Sequence, residues 1–156
     1  KLDQKFYSWD ATTLPDGAYY LKIIATDAPS NPPAVALKTE RESERFEVDN
    51  TPPVIEKLDT NVAVPPNANY ATASVIVKFT ARDSASSIDR AQYSLDGGEW
   101  ILLAPVGNVS DAPEEHYEFR LDNLARIEHT IAVRAYDHFE NVGSSKMLVV
   151  VTTAKP

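Results

Sequence analysis

The stretch that most constrains this chain is His129-Thr130-Ile131-Ala132-Val133-Arg134-Ala135-Tyr136-Asp137, closed by Asn141. Apolar residues fall on every second position, which is the two-residue period of a β-strand with one buried face. The same pattern stands 110 positions earlier. Leu21, Ile23 and Ala25 align with Ile131, Val133 and Ala135; Asp27 aligns with Asp137 and Asn31 with Asn141. The echo extends backwards, placing Leu14 on Leu124, and Tyr7 and Trp9 on Tyr117 and Phe119. A repeated strand-and-turn unit predicts one complete module and the tail of another.

Turn signals divide the rest. Residues 1–48 read as three strands, at 6–9, 18–26 and 37–48, with Thr13-Leu14-Pro15-Asp16-Gly17 as a turn. The charged run Glu40 to Arg45 reads as a solvated edge strand, blunted against unwanted pairing. Asp49-Asn50-Thr51-Pro52-Pro53 reads as a stiff extended connector, so the expected domains are residues 1–50 and 51–156. Beyond it, about seven strands are expected. The clearest is 74–82, where Val75, Val77, Phe79 and Ala81 share a face. Asp96-Gly97-Gly98 marks a hairpin between 88–95 and 99–103, because Asp-Gly suits primed turns. The segment 62–71, with Pro65 and Pro66, reads as a loop. Short strands at this pacing predict an all-β chain: an antiparallel sandwich of about 100 residues plus a three-stranded partial copy. The partial copy lacks an opposing layer for Tyr7, Trp9, Tyr19, Leu21, Ile23 and Phe46. Its apolar face is therefore expected to be covered by residues 54–153 or by a second chain, as in a homodimer.

Composition narrows the function classes. A formal charge of −8 disfavours phosphate backbones, so nucleic acid is not an expected partner. There is no Cys, hence no disulfide or thiolate metal site. No apolar run approaches the roughly 18 residues of a membrane-spanning helix, so membrane insertion is not expected. No signal peptide is visible, and Lys1 stands in mid-pattern, so the chain reads as part of a longer protein.

Leu14-Pro15-Asp16-Gly17 followed by Tyr19, Leu21, Ile23, Ala25 and Asp27 resembles the latter half of bacterial immunoglobulin-like and fibronectin type III-like modules. So do Ala91 to Trp100 and His129 to Asn141, and the link at 49–53 resembles those between tandem copies. The resemblance implies an immunoglobulin-like β-sandwich in a secreted or cell-surface protein. It further implies a non-catalytic spacer or interaction domain whose partners are neighbouring domains of its parent chain. The rival reading is a carbohydrate-binding accessory module. The turn at 124–129 lacks the Asp-Gly of its echo and must be built differently.

Two sites deserve weighing. Asp27 and Asn31, and again Asp137 and Asn141, carry turn chemistry, in which short polar side chains accept backbone N–H groups. The sharper alternative is a calcium site at a module end, built from Asp27, Asn31, Asp49, Asp137 and Asn141 with help from Asn50 or Asp83, since calcium takes six to eight oxygens. Trp100 beside Tyr93 is the candidate sugar platform, against a covering role on the sheet, and Trp9 reads as core. No catalytic residue is assigned: the chain has neither a Gly-x-Ser-x-Gly elbow nor a His-Glu-x-x-His motif. Glu114-Glu115-His116 contains ligand types without a second cluster to complete a site, and no cofactor other than calcium is expected.

Overall fold

The computed structural model describes residues 6, 8–63 and 72–151. The chain divides into two compact units, Lys1–Asn50 and Thr51–Pro156. Among the described residues there is no helix, and hence none long and apolar enough to cross a membrane.

The first unit is a broken hairpin. Strands β1 (Gly17–Tyr19) and β2 (Lys22–Thr26) form one arm, and β3 (Lys38–Glu42) and β4 (Phe46–Val48) the other. β1 pairs with β4 and β2 with β3, both antiparallel. Ser43 spans the break: its N–H donates to the Leu21 carbonyl at 2.8 Å and its Oγ accepts the Leu21 N–H at 2.9 Å. The expected strand at 6–9 is absent among the described residues, and Tyr7 lies outside them. Trp9 sits half-exposed and edge-on to Phe46, with ring centroids 6.2 Å apart, instead of entering a core. Asn50 ties down the turn before β1. Its Nδ2 donates to the carbonyls of Ala11 and Leu14, and its N–H to an Asp16 carboxylate oxygen. Every residue of β2 and β3 is exposed, Ile23 at 63%. The apolar side chains of this ladder, Ile23 and Ile24, are thus open to solvent.

The second unit holds seven strands among the described residues: β5 (Val54–Ala63), β6 (Thr72–Arg82), β7 (Ile88–Leu95), β8 (Ile101–Leu103), β9 (Glu114–Ala125), β10 (Glu128–Asp137) and β11 (Val142–Val150). One sheet runs β5-β6-β9 and the other β11-β10-β7-β8. Chain direction alternates between neighbours throughout, and the chain changes sheet after β6, β8 and β9. Three strands packed on four with these crossings make an antiparallel immunoglobulin-like sandwich.

The core sits between the sheets. Val75, Val77, Phe79 and Ala81 of β6 face Ile131, Val133 and Ala135 of β10, with Ile88 and Ala91 of β7 and Tyr117 and Leu121 of β9 completing the layer. Fully burying each aliphatic side chain contributes roughly 1.5–3 kcal/mol. Phe79 stacks on Tyr117 within one sheet, centroids 4.8 Å apart. Tyr93 stacks on Phe119 from the opposite sheet at 4.5 Å. The two sheets are also closed at one edge of the fold by Gly143. A Cβ there would stand 1.6 Å from the Pro53 carbonyl oxygen, so only glycine lets β11 pass that backbone.

β5 is longer than its sequence pattern suggests. A bulge between Glu56 and Asp59, with Lys57 at φ 52°, shifts the register and breaks the two-residue period. Of the expected loop 62–71, Val62 and Ala63 belong to β5, and the remainder lies outside the described residues. At the Asp96-Gly97 turn, both residues have positive φ (52° and 73°) and the Gly98 N–H returns to the Leu95 carbonyl. That is a primed hairpin turn, as Asp-Gly requires.

Candidate functional site

The buried row of β10 runs His129, Ile131, Val133, Ala135, Asp137, so the period that builds the core also draws a titratable group inside at each end. Asp137 has no exposed surface. Its Oδ1 accepts the N–H groups of Phe139 at 2.8 Å and Asn141 at 2.9 Å, and its Oδ2 accepts the Asn141 side-chain amide at 2.8 Å. The carboxylate thus organises the tight β10–β11 turn, where Glu140 takes φ 68°.

Asp83 follows β6 at the same end of the sandwich and is 3% exposed. Its Oδ1 accepts the N–H groups of Ala85 and Ser86, each at 2.8 Å, forming an Asx-type turn into β7. Its Oδ2 is buried and accepts no hydrogen bond. Carboxylate oxygens of Asp83 and Asp137 lie within 4.8 Å of each other. No ion pair among the described residues reaches either one.

The other expected cation ligands are placed as follows. Asp27 Oδ1 accepts the Leu37 N–H at 2.6 Å, and the Asp27 N–H donates to the Leu37 carbonyl, closing the β2–β3 hairpin. Leu37 therefore stands in that turn where Asn141 stands in the other. Asn31 instead donates its N–H to the Asp27 carbonyl at 3.1 Å, inside the longer loop. Asp49 is buried directly after β4. Asp83, which the sequence suggested only as a helper, meets Asp137.

Trp100 and Tyr93 are not brought together. The β7–β8 register sets Ile101, not Trp100, opposite Tyr93. The Tyr93 ring is turned between the sheets against Phe119, whereas Trp100 lies under the Arg134 guanidinium, 4.0 Å from its centroid. Arg134 also stands 5.3 Å from the Tyr136 ring, and Arg90 stands 4.0 Å from that same ring. Arginine and aromatic side chains so alternate along this sheet face. Arg90 is anchored by Glu140 and Asp89, whose carboxylates raise its pKa.

The three histidines serve different ends. His129 is 6% exposed, with Nδ1 2.7 Å from Asp96 Oδ2 and Nε2 2.9 Å from the Ala125 carbonyl. Both neighbours accept, which favours the imidazolium. The Asp96 hydrogen bond raises the His129 pKa, and the same bond lowers that of Asp96. His138 donates its N–H to the Ser87 carbonyl and sets its ring edge-on to Phe139.

His116 lies in a shallow open groove of about 390 Å³, lined in part by Lys57, Asp59, Thr80 and Glu118. Its Nδ1 is 3.0 Å from Thr80 Oγ1, and its Nε2 is 3.6 Å from Glu114 Oε1. A hydroxyl, an imidazole and a carboxylate in line suggest a nucleophile relay. The geometry argues otherwise. Thr80 is only 4% exposed, and the Glu114 contact is too long for a hydrogen bond. Glu115 does not join this group. It turns inward, where its Oε1 accepts the N–H groups of Asp111 and Ala112.

No family model and no curated protein matches this chain. Among solved structures, the chain is similar to fibronectin(III)-like modules of CbhA from Clostridium thermocellum, with 24% identity and a TM-score of 0.42. That match covers 88% of this chain and 63% of the other. It is also similar to part of the sulfane dehydrogenase SoxCD from Paracoccus pantotrophus, with 16% identity and a TM-score of 0.45. There the match covers 61% of this chain and 31% of the other. The chain thus spans less than two thirds of either protein. Its fold is all-β, with a fibronectin(III)-like module among its neighbours.

Proposed function

We propose that this chain is a non-catalytic immunoglobulin-like segment of a longer secreted or surface bacterial protein, acting as a spacer and protein-interaction scaffold. One observation carries this reading: the polar side chains best suited to chemistry are consumed by structure. Asp137 and Asp27 cap turns, Asp83 does so through one of its two oxygens, and His129 bridges Asp96 to a backbone carbonyl. His116 reaches a hydroxyl that is closed to substrate. The stiff connector at 49–53 joins two units in the manner of tandem copies, the first being the end of such a copy. The sugar-binding alternative loses weight because Arg134 already occupies a face of the Trp100 ring.

The exposed apolar residues of the first unit, Tyr20, Leu21, Ile23, Ile24 and Leu37, supply the interaction surface in this reading. Grouped exposed apolar side chains on an open ladder favour burial against another chain, here a second copy. The test of the spacer role is energy transfer between fluorophores placed at the two ends of the chain. A spacer gives one narrow distance distribution; a broad one refutes the role. Light scattering across a concentration series tests the second copy, which requires the mass to rise towards that of a dimer.

A further inference from the structure

We infer that Asp83 and Asp137 form a calcium site at one end of the sandwich. The sequence places these residues far apart, one after β6 and the other at the end of β10. The fold brings carboxylate oxygens of the two within 4.8 Å, both withdrawn from water. Two like charges at that separation repel, and out of water the repulsion is poorly screened. No Lys, Arg or His offsets it among the described residues.

The orphaned oxygen points to what does. Asp83 Oδ1 is committed to the N–H groups of Ala85 and Ser86, which leaves Oδ2 as its free ligand atom. A buried carboxylate oxygen without a donor is costly unless something positive meets it. Asp137 accepts three hydrogen bonds from its turn, yet two carboxylate oxygens carry about four lone-pair sites, so it too can face an ion. The turn bonds hold both side chains in place before the ion arrives. Oxygen-only ligation selects a hard cation, and calcium tolerates the irregular geometry of two separate loops better than magnesium, which demands a near-ideal octahedron. The remaining positions fall to water and backbone carbonyls.

The test uses the full chain stripped with EDTA and titrated calorimetrically with calcium chloride, alongside thermal unfolding in calcium and in EDTA. The expected result is one ion per chain and a midpoint several degrees higher in calcium. Asp83→Asn keeps the turn acceptor and removes the ligand charge, so its affinity falls at least about tenfold and the calcium-dependent rise in midpoint disappears. No heat and identical midpoints for the unmodified chain overturn the site. So does an Asp83→Asn chain that responds to calcium as the parent does. An equal response to magnesium overturns the assignment to calcium.

Discussion

His129 Nδ1 stands 2.7 Å from Asp96 Oδ2, so the first buried residue of β10 is clamped to the turn between β7 and β8. Asp96 Oδ1 also accepts the Thr130 N–H at 2.8 Å, so one carboxylate fixes the entry of β10 twice. The His129 pKa is raised above its ordinary 6.5 in the folded chain, chiefly by the Asp96 hydrogen bond. The stabilisation is therefore complete below about pH 6.5 and is lost as pH rises through the folded value. Asp96 behaves oppositely: its contribution is present above about pH 3.9 and is lost as pH falls through its lowered folded value. Denaturant unfolding across pH should show the clamp at full strength between those limits. An Asp96→Asn chain should lose most of the decline above pH 6.5, and the His129 ring resonances should titrate above 6.5 in the parent only.

Aligned positions in the two units should respond differently to the same truncation. Ile131 is fully buried, whereas its sequence counterpart Leu21 is open to solvent. Ile131→Ala should cost about 2–5 kcal/mol through lost burial and a cavity. Leu21→Ala should leave the main unfolding transition within about 0.5 kcal/mol. Urea midpoints measured at equal protein concentration check both.

Gly143→Ala should be among the most damaging single-methyl additions. The added Cβ would overlap the Pro53 carbonyl, so β11 or the segment before β5 must shift. A loss of about 1–3 kcal/mol is expected. A change under about 0.5 kcal/mol, typical of a neutral surface site, would mean that the approach is looser than described.

Arg134 should report on the sheet face through Trp100. Replacing it with Met removes the cation over the indole and should cost about 0.5–1 kcal/mol. The tryptophan emission should shift at the same time. Soluble oligosaccharides should leave the emission of the parent chain unchanged; saturable quenching would restore the sugar-platform reading.

Much of the fold was legible because its signals are local. Val75, Val77, Phe79 and Ala81 alternate with more polar or half-buried neighbours, and the hairpin at Asp96-Gly97 requires only two residues with positive φ. What escaped depends on distant or register-level events. The bulge at Lys57 conceals the length of β5, since one inserted residue inverts the pattern. The two-residue turn alone would set Trp100 opposite Tyr93, but one extra residue between Gly98 and Ile101 shifts the register and puts Ile101 there. The expected strand at 6–9 needs a neighbour to bond with, and alternation alone cannot provide one. For the candidate site, Asp137 was visible as a recurrent turn residue. Its meeting with Asp83 was not, because it depends on strands in different sheets ending at the same place.

The central claim is that residues 51–156 carry a complete core of their own, whereas the described residues among 1–50 do not. Calorimetry on the excised 51–156 segment tests it most directly. The account predicts one cooperative transition, with equal calorimetric and van't Hoff enthalpies near 0.7 kcal/mol per residue, about the value for a folded domain. A segment that melts without a cooperative transition, or is unfolded at room temperature, would contradict it.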